Sequence, residues 1–552
     1  MKQKSAKEII LEATKGVKLT VPDRPELGDY AFFSVDAEKV VDDLKANKEL
    51  AKIAEVKAVG KFVNFYLKPD VLLDSLISID GEYGKNLTGG GKKYMVEFAH
   101  PNTHKAFHVG HLRNITTGEC VVRLLEAIGT KVVRANYQGD VGLHIAKALY
   151  GIQKKGFTDP GEVKARAKYL GEVYALGSQA FEADEEAKKK IIAINKQIYD
   201  QSDPKINDLY QTTRAWSLEY FDAIYQRVGS HFDRLYFESE VASLGLQIAQ
   251  KAESEGVLEK SEGAVIFPGE KYDLHSRVFV TSEGVPTYEA KDLGLAKLQF
   301  GEHNPDLIVH VVAPEQAGYF QVLFKALELI QPETKGREFH LQYGWVRLKE
   351  GKMSSRLGNV ILGEDLLDEA KKRIIEKYKT EAETAEKIAV GAIKYSFLKT
   401  GISQEIAFDM DESISLDGNS GPYLQYTAAR AMSVLRKAEI TNYKLQITNL
   451  NEEERALLRH LVHYPEMVEE AAARFAPNLL CEYLYQLASK FNTFYNIHRI
   501  LNSNKHRILE SEKSRGDLMK LDVNFRLSLT SAVAQVLSSG LSLLGIEAPE
   551  RM

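Results

Sequence analysis

The stretch from Tyr94 to Ala135 limits the possible folds of this chain more than any other. Tyr94-Met95-Val96-Glu97-Phe98 reads as a buried strand, and a polar loop holding Pro101 and Asn102 follows. A helical pattern then runs from about His108 to Ile128, with Gly129 placed to cap it, before Lys131-Val132-Val133-Arg134-Ala135 resumes as strand. Strand, helix and strand in that order make a βαβ unit, which opens a parallel sheet covered on both faces. The apolar segment Leu307-Ile308-Val309-His310-Val311-Val312 picks the sheet up again far downstream. The expectation is an α/β, doubly wound parallel-sheet (Rossmann-like) domain carrying a large insertion.

The flanks complete the division. Residues 1–88 read as a small α+β domain: a helical opening, the turn cluster Pro22-Asp23-Arg24-Pro25, then Leu27-Gly28-Asp29-Tyr30 and the half-buried strand Lys61 to Leu67. Gly89-Gly90-Gly91 reads as a linker. The sheet domain takes residues 89–400, with its insertion at about 145–285. Charge mixtures such as Asp184 to Lys190 in that insertion mark solvated helix faces. Residues 401–552 read as an all-α helical bundle, its apolar faces clearest from about Gly421.

Composition excludes several classes. Hydrophobic residues at 44% and charged residues at 27% are the proportions of a folded globular chain. With 72 Lys+Arg against 77 Asp+Glu, bulk charge cannot hold a nucleic acid, so any polyanion must meet local basic patches. Cys120 and Cys481 lie too far apart in sequence for a disulfide framework or a thiolate zinc knuckle. The opening residues lack an apolar leader, and no run of about 18 uncharged apolar residues occurs. A cytoplasmic protein without membrane contact is expected.

Two motifs carry chemistry. In Ala99 to His111, the pair His108 and His111 falls in the first helical turn, on one face, so that ring nitrogens and free backbone N–H groups converge where the helix dipole favours an anion. Gly110 between them leaves room for a base or ribose against the backbone. A zinc cluster of His100, His104, His108 and His111 is the competing reading, but the helix offers no acidic general base; a buried structural pair is the plain alternative. No metal site is therefore assigned. The second motif is Lys352-Met353-Ser354-Ser355-Arg356, two cations four residues apart flanked by Gly351 and Gly358, the makings of a hinged phosphate clamp. By itself it could be a polar surface loop. Paired with His-x-Gly-His upstream it gains weight, because a doubly wound sheet brings such loops together at its carboxyl edge.

The pairing of His108-Val109-Gly110-His111 with Lys352 to Arg356 resembles the two signatures of class I aminoacyl-tRNA synthetases. The surroundings resemble the arginyl-tRNA synthetases: Asn136 to Gly142, Thr287-Tyr288-Glu289-Ala290-Lys291-Asp292, Gly421 to Tyr426 with Ala429-Arg430, Phe491 to Tyr495, and the ending Leu543 to Met552. Leu27 to Ala31 and Gly60 to Phe65 are similar to that family's N-terminal domain. The resemblance implies an arginine–tRNA ligase: L-arginine attacks the α-phosphate of ATP, and the arginyl group then passes to the 3′-terminal ribose of tRNA(Arg). It implies catalytic roles for His108, His111, Lys352 and Arg356. It places Lys105, Gly110, Met353, Ser354 and Ser355 on ATP, and Glu97, Asn102, Tyr288, Asp292 and Gln316 on arginine, the first, third and fourth of these toward the guanidinium. Mg²⁺ is expected with ATP, and a monomer is expected.

Arg356 stands where class I enzymes commonly have Lys, which keeps the charge and adds a bidentate fork. Lys352 is present although many arginyl enzymes lack it, and Glu283 replaces a common Asp. In the helical domain, which resembles the anticodon-binding bundle, Arg430, Arg436 and Arg499 suit splayed bases, although most aromatics there are core residues. Three rival readings carry less. A small-molecule nucleotidyltransferase would be shorter, a synthetase-like protein without catalysis would not keep both signatures, and a cysteine-specific ligase would bring zinc thiolates.

Overall fold

A computed structural model of the chain describes residues 5–22, 24–349, 361–438, 450–500 and 513–552. The first helix, Ala6–Ala13, opens with a reciprocal cap in which Glu8 N–H donates to the Ser5 hydroxyl and Ser5 N–H donates to the Glu8 carboxylate. β1 (Tyr30–Phe33), β2 (Ala54–Val59) and β3 (Phe62–Leu67) form an antiparallel sheet in the order β1-β3-β2. β3 is thus the central strand and not merely half-buried: Val63, Asn64 and Phe65 are all buried, and the Asn64 amide donates to Leu27 O at 2.6 Å. The phrase around Asp29 docks this sheet on the last third of the chain. Asp29 accepts from Leu67 N–H at 2.7 Å and from Arg459 at 2.7 Å, while Tyr30 donates to Glu466. The glycine run read as a linker is packed in place, with Gly89 N–H on Ile128 O at 2.7 Å.

The main sheet comprises β4 (Lys93–Glu97), β5 (Lys131–Gln138) and β6 (Arg234–Phe237), with β10 (Leu307–Val312) and β11 (Glu338–Gln342) added after an antiparallel excursion through β7 (Glu259–Ser261), β8 (Ala264–Phe267) and β9 (Arg277–Val280). Its order is β11-β10-β4-β5-β6, every neighbour parallel. The strands expected at 94–98, 131–135 and 307–312 are β4, β5 and β10. β6 and β11 were not expected, because one is four residues between charged helices and the other alternates Glu338, Phe339 and His340. The chain runs from β4 outward to β6, then crosses back to β10 and builds the other way. The carboxyl ends of β4 and β10 therefore border the crevice where a doubly wound sheet binds its ligands.

Four helices, Leu143–Lys155, Val163–Ala183, Glu185–Asp200 and Pro204–Arg227, separate β5 from β6 around a core of their own that includes Leu149, Ile191 and Trp216. Charged residues there do face water, as in the exposed pairs Lys188–Glu185 and Lys189–Glu186. The last third is helical through Gly421–Lys437, Glu452–Val462, Tyr464–Ala473, Pro477–Ile497 and Lys513–Leu543. Among the described residues no helix is long and apolar enough to cross a membrane.

The helix Val109–Ala127 lies between the sheet and this bundle, so several of its polar residues, Arg113, Asn114, Thr116, Thr117 and Glu119, are buried. Glu119 is satisfied there by Arg123 at 2.7 Å, Arg134 at 3.2 Å and Ser230 at 3.0 Å. Gly118 marks the closest approach to β4, because a Cβ at that position would run into the Phe98 ring. Gly118→Ala should therefore destabilise by about 1–3 kcal/mol through overpacking, against the gain Ala brings to an exposed helix; urea unfolding that shows equal or higher stability would refute this packing.

Candidate active site

The loop after β4 is held in backbone conformations that side chains rarely adopt. Ala99, His100 and His104 have φ of 78°, 50° and 62°. Four neighbours fix it: Ala99 N–H donates to Asn114 Oδ1 at 2.6 Å, His100 N–H to Asn136 Oδ1 at 3.2 Å, Thr103 N–H to Gly139 O at 3.0 Å and His104 N–H to Ser217 Oγ at 2.9 Å. Strain of this kind persists where the surroundings over-determine it, which is common at functional sites. His104 belongs to that scaffolding. Its ring lies between Thr103 and Thr213, at 3.1 and 2.7 Å, and burial pushes its pKa down to about 3. Asn102 packs against the backbone of Gly139, where a Cβ would strike its amide oxygen.

The histidine pair is placed differently in detail from the sequence expectation. His108 is the residue that caps the helix, with extended backbone, and His111 sits in the first turn. Gly110 N–H donates to His108 Nδ1 at 3.1 Å and His108 N–H donates to His111 Nδ1 at 3.2 Å. The rings stack, centroids 3.7 Å apart and 23° from parallel. Burial lowers both pKa values, with the Lys105 charge acting on each and His108 also acting on His111, so both rings are neutral at pH 7. A neutral ring accepting at Nδ1 carries its proton on Nε2. Two Nε2–H donors therefore stand side by side at a helix N-terminus. Gly110 is required by this arrangement itself, since a Cβ there would lie 2.9 Å from the His108 ring.

Residues Lys352, Met353, Ser354, Ser355 and Arg356 lie outside the described residues, but the backbone on either side of them is anchored. Val109 N–H donates to Ile361 O at 2.9 Å and Gly363 N–H to Phe107 O at 2.8 Å, so the chain re-enters beside the histidines. Upstream, β12 (Val346–Leu348) pairs in parallel with β13 (Ile406–Phe408). Arg113, two residues after His111, is buried and donates to Trp345 O, Ile402 O and Gln404 O at 2.9, 3.0 and 3.0 Å. Both anchors of the second motif thus rest on the helix that carries the first.

A cavity of about 380 Å³ opens at the carboxyl ends of β4 and β10. Glu97, Tyr288, Asp292 and Gln316, four of the five residues expected around a guanidinium-bearing substrate, line it; Asn102 does not. Three further lining residues, His100, Tyr137 and Arg277, present buried polar atoms (Nε2, OH and Nε) without hydrogen-bond partners among the described residues. A buried polar atom left unpaired is costly, so the cavity suits a ligand rich in hydrogen-bonding groups. His100 also lies close enough to His111 to act on its titration, which joins the cavity to the histidine pair.

The cavity's carboxylates differ in charge state. Asp292 accepts from Tyr319 OH at 2.6 Å, yet burial, assisted by the nearby Glu97 charge, pushes its pKa up to about 8. Burial acts on Glu97 in the same direction but is outweighed by His310, whose charge and hydrogen bond hold it below the usual carboxylate range. His310 Nδ1 is 3.1 Å from Glu97 and its Nε2 is 2.7 Å from Glu338, and Gln299 donates to the other Glu97 oxygen. His310, Glu338, Gln299 and Tyr319 were missed by the sequence reading. The available signal was a histidine in the middle of an otherwise apolar parallel strand.

A second, basic and aromatic pocket of about 540 Å³ lies in the helical domain, lined among others by Tyr426, Arg430, Arg436, Tyr495 and Arg551. The Arg430 guanidinium sits over the rings of Tyr426 and Tyr495, at 4.6 and 5.3 Å, and donates to Asn492 Oδ1 at 2.6 Å. Of the three arginines singled out above, Arg499 does not line it.

Residues 73–410 match the family model of the class I tRNA synthetase (R) catalytic domain, and residues 424–552 match the DALR anticodon binding domain. An arginine–tRNA ligase of Bdellovibrio bacteriovorus is 34% identical over 97% of this chain and 94% of its own length, and one of Borrelia hermsii is 30% identical over 100% and 98%. The structure of the Thermus thermophilus arginyl-tRNA synthetase superposes over 99% of both chains with a TM-score of 0.76 at 25% identity. With its catalytic and anticodon-binding models both matched and its relatives aligned nearly end to end, the chain belongs to the arginyl-tRNA synthetase family of class I aminoacyl-tRNA ligases.

Proposed function

We propose that the cavity at the β4–β10 crevice takes the side chain of L-arginine, with ATP lying beside it over the histidine pair. The observation that carries this reading is the meeting in one cavity of Glu97 and Asp292 with two unpartnered atoms able to accept, His100 Nε2 and Tyr137 OH. A guanidinium has donors in a rigid fork and no acceptor, and it can leave water only onto carboxylates and other acceptors. An arginine carboxylate oxygen then attacks the α-phosphorus, the new O–P bond forming as the bond to the pyrophosphate oxygen breaks. The Nε2–H groups of His108 and His111 donate to phosphate oxygens, Lys105 adds charge, and Gly110 lets the nucleotide approach. Lys352 and Arg356, with Met353, Ser354 and Ser355 between them, close over the departing pyrophosphate; the anchors at Ile361 and Lys349 support that closure. Mg²⁺ arrives with ATP and adds charge neutralisation on the phosphates. Asn102 and Gln316 hold the amino-acid head.

The arginyl group then passes to the 3′-terminal ribose of tRNA(Arg), whose anticodon bases the Arg430 pocket suits by stacking. In this reading residues 1–88 assist tRNA binding, 89–400 catalyse, 401–552 read the anticodon, and the enzyme works as a monomer in the cytoplasm.

With purified protein, pyrophosphate exchange should depend on arginine among the twenty amino acids, run with and without total tRNA; exchange with a different amino acid would refute the substrate while sparing the class. Asp292→Asn removes a charge-assisted fork worth about 2–5 kcal/mol, so KM for arginine should rise at least thirtyfold with KM for ATP nearly unchanged. Because Asp292 holds a proton below about pH 8 that the guanidinium must displace, arginine affinity should rise by up to tenfold per pH unit from pH 6 to 7.5 and then level off. A flat calorimetric profile over that range would contradict the assignment.

A further inference from the structure

Four carboxylates line the cavity, Glu97, Glu289, Asp292 and Glu338; Glu289 is paired with Arg277 at 3.1 Å, and the adjacent Glu97 and Asp292 cannot both stay ionised without help, since each charge disfavours the other and burial disfavours both. Here they are treated unequally, and the cause is a third residue. His310 sits in the middle of β10 between buried Val309 and Val311. Its ring bridges Glu97 on β4 and Glu338 on β11, at 3.1 and 2.7 Å, and so spans three adjacent strands. Phe320 and Phe324 pack on it, with centroids at 5.2 and 5.7 Å, which leaves the ring little room to turn.

We propose that His310, clamped by Glu338, is the positioning residue that fixes the orientation and charge of Glu97, so that Asp292 alone exchanges a proton when arginine enters. This rests on the cavity being the arginine site. With both ring nitrogens engaged by carboxylates, His310 is an imidazolium, its pKa raised to about 10 by Glu97 and Glu338 against the effect of burial. Other titratable and charged groups face the same cavity: burial raises the pKa of Glu338 against the effect of His310, and Arg277 is paired with Glu289 at 3.1 Å. His100 and His340 are neutral, their pKa values lowered by burial. Arg337 stands beside Glu338, and Glu238 and Glu97 both act to raise Asp292. The result is one permanent and one conditional anion, a division of roles like that by which enzymes separate paired carboxylates.

The test is the number of protons released when arginine binds the full-length protein at pH 7, from calorimetry in buffers of different ionisation enthalpy, together with KM for arginine against pH. The wild type should release close to one. His310→Gln keeps a hydrogen-bonding side chain but removes the cation, so Glu97 also holds a proton: release should approach two, and KM for arginine should rise about tenfold at pH 7 and by less than threefold at pH 8.5. Glu338→Gln, which leaves His310 in place, should shift both readouts in the same direction by a smaller amount, and it decides the matter if His310→Gln does not fold. A rise in KM equal at both pH values with unchanged proton release would mean that His310 only packs, and unchanged values in both variants would also overturn the proposal. A wild type that binds another amino acid instead of arginine would remove the proposed function and this inference together, whereas normal arginine binding with insensitive variants would remove the inference alone.

Discussion

Everything in the catalytic crevice follows from the difficulty of burying charge. A guanidinium taken out of water must meet anions, and anions kept in a cavity before it arrives must be either paired or protonated. The chain uses both solutions within one cavity: Glu97 is paired with His310, and Asp292 is buried with only the Tyr319 hydroxyl against it. In the proposed reading, such a site favours a cation that can draw the proton from Asp292 over a neutral side chain that cannot.

In the proposed reading, the phosphate side of the crevice relies on neutral groups. His108 and His111 cap a helix with their Nδ1 atoms, which turns their Nε2–H groups outward as fixed donors where the unpaired N–H groups of the first turn also point. Such donors are set before the triphosphate arrives and need no reorganisation during reaction. Arg113 and the Phe107–Val109 backbone hold the described residues on either side of the second motif, Trp345 before it and Ile361 and Gly363 after it, although about 240 residues separate the two motifs in sequence.

Several elements were legible in sequence for simple reasons. β4, β5 and β10 are apolar runs bounded by turn residues, and the helix beginning at His108 carries its own start and stop signals, so local periodicity was enough. β6 was illegible because it is four residues between charged helices, and β11 because it alternates Glu338, Phe339 and His340. Arg234 lies in a network with Glu240 and Glu302, and Glu338 and His340 face groups that only the folded sheet brings near. The competing zinc reading of four histidines, to which no site was assigned, also turned on packing: His104 bonds Thr213, more than a hundred residues away in the chain, and so faces the insertion. Asn102 shows the same limit. Its place beside Gly139 is set by a turn after β5, and proximity in sequence to Glu97 did not bring it into the cavity.

The amino-acid sequence by itself determined the parallel-sheet class, the two signature motifs and, through the family they resemble, the chemistry, because these are encoded in short segments whose hydrophobic period and residue types act locally. Tertiary structure alone decided that Glu97 pairs with His310 while Asp292 accepts from Tyr319, that His108 and His111 stack at a helix start while His104 packs against Thr213, and that Trp345 and Ile361 meet the segment carrying the first motif. Those properties depend on burial and on partners tens to hundreds of residues away, and neither quantity exists until the strands have been ordered in the sheet.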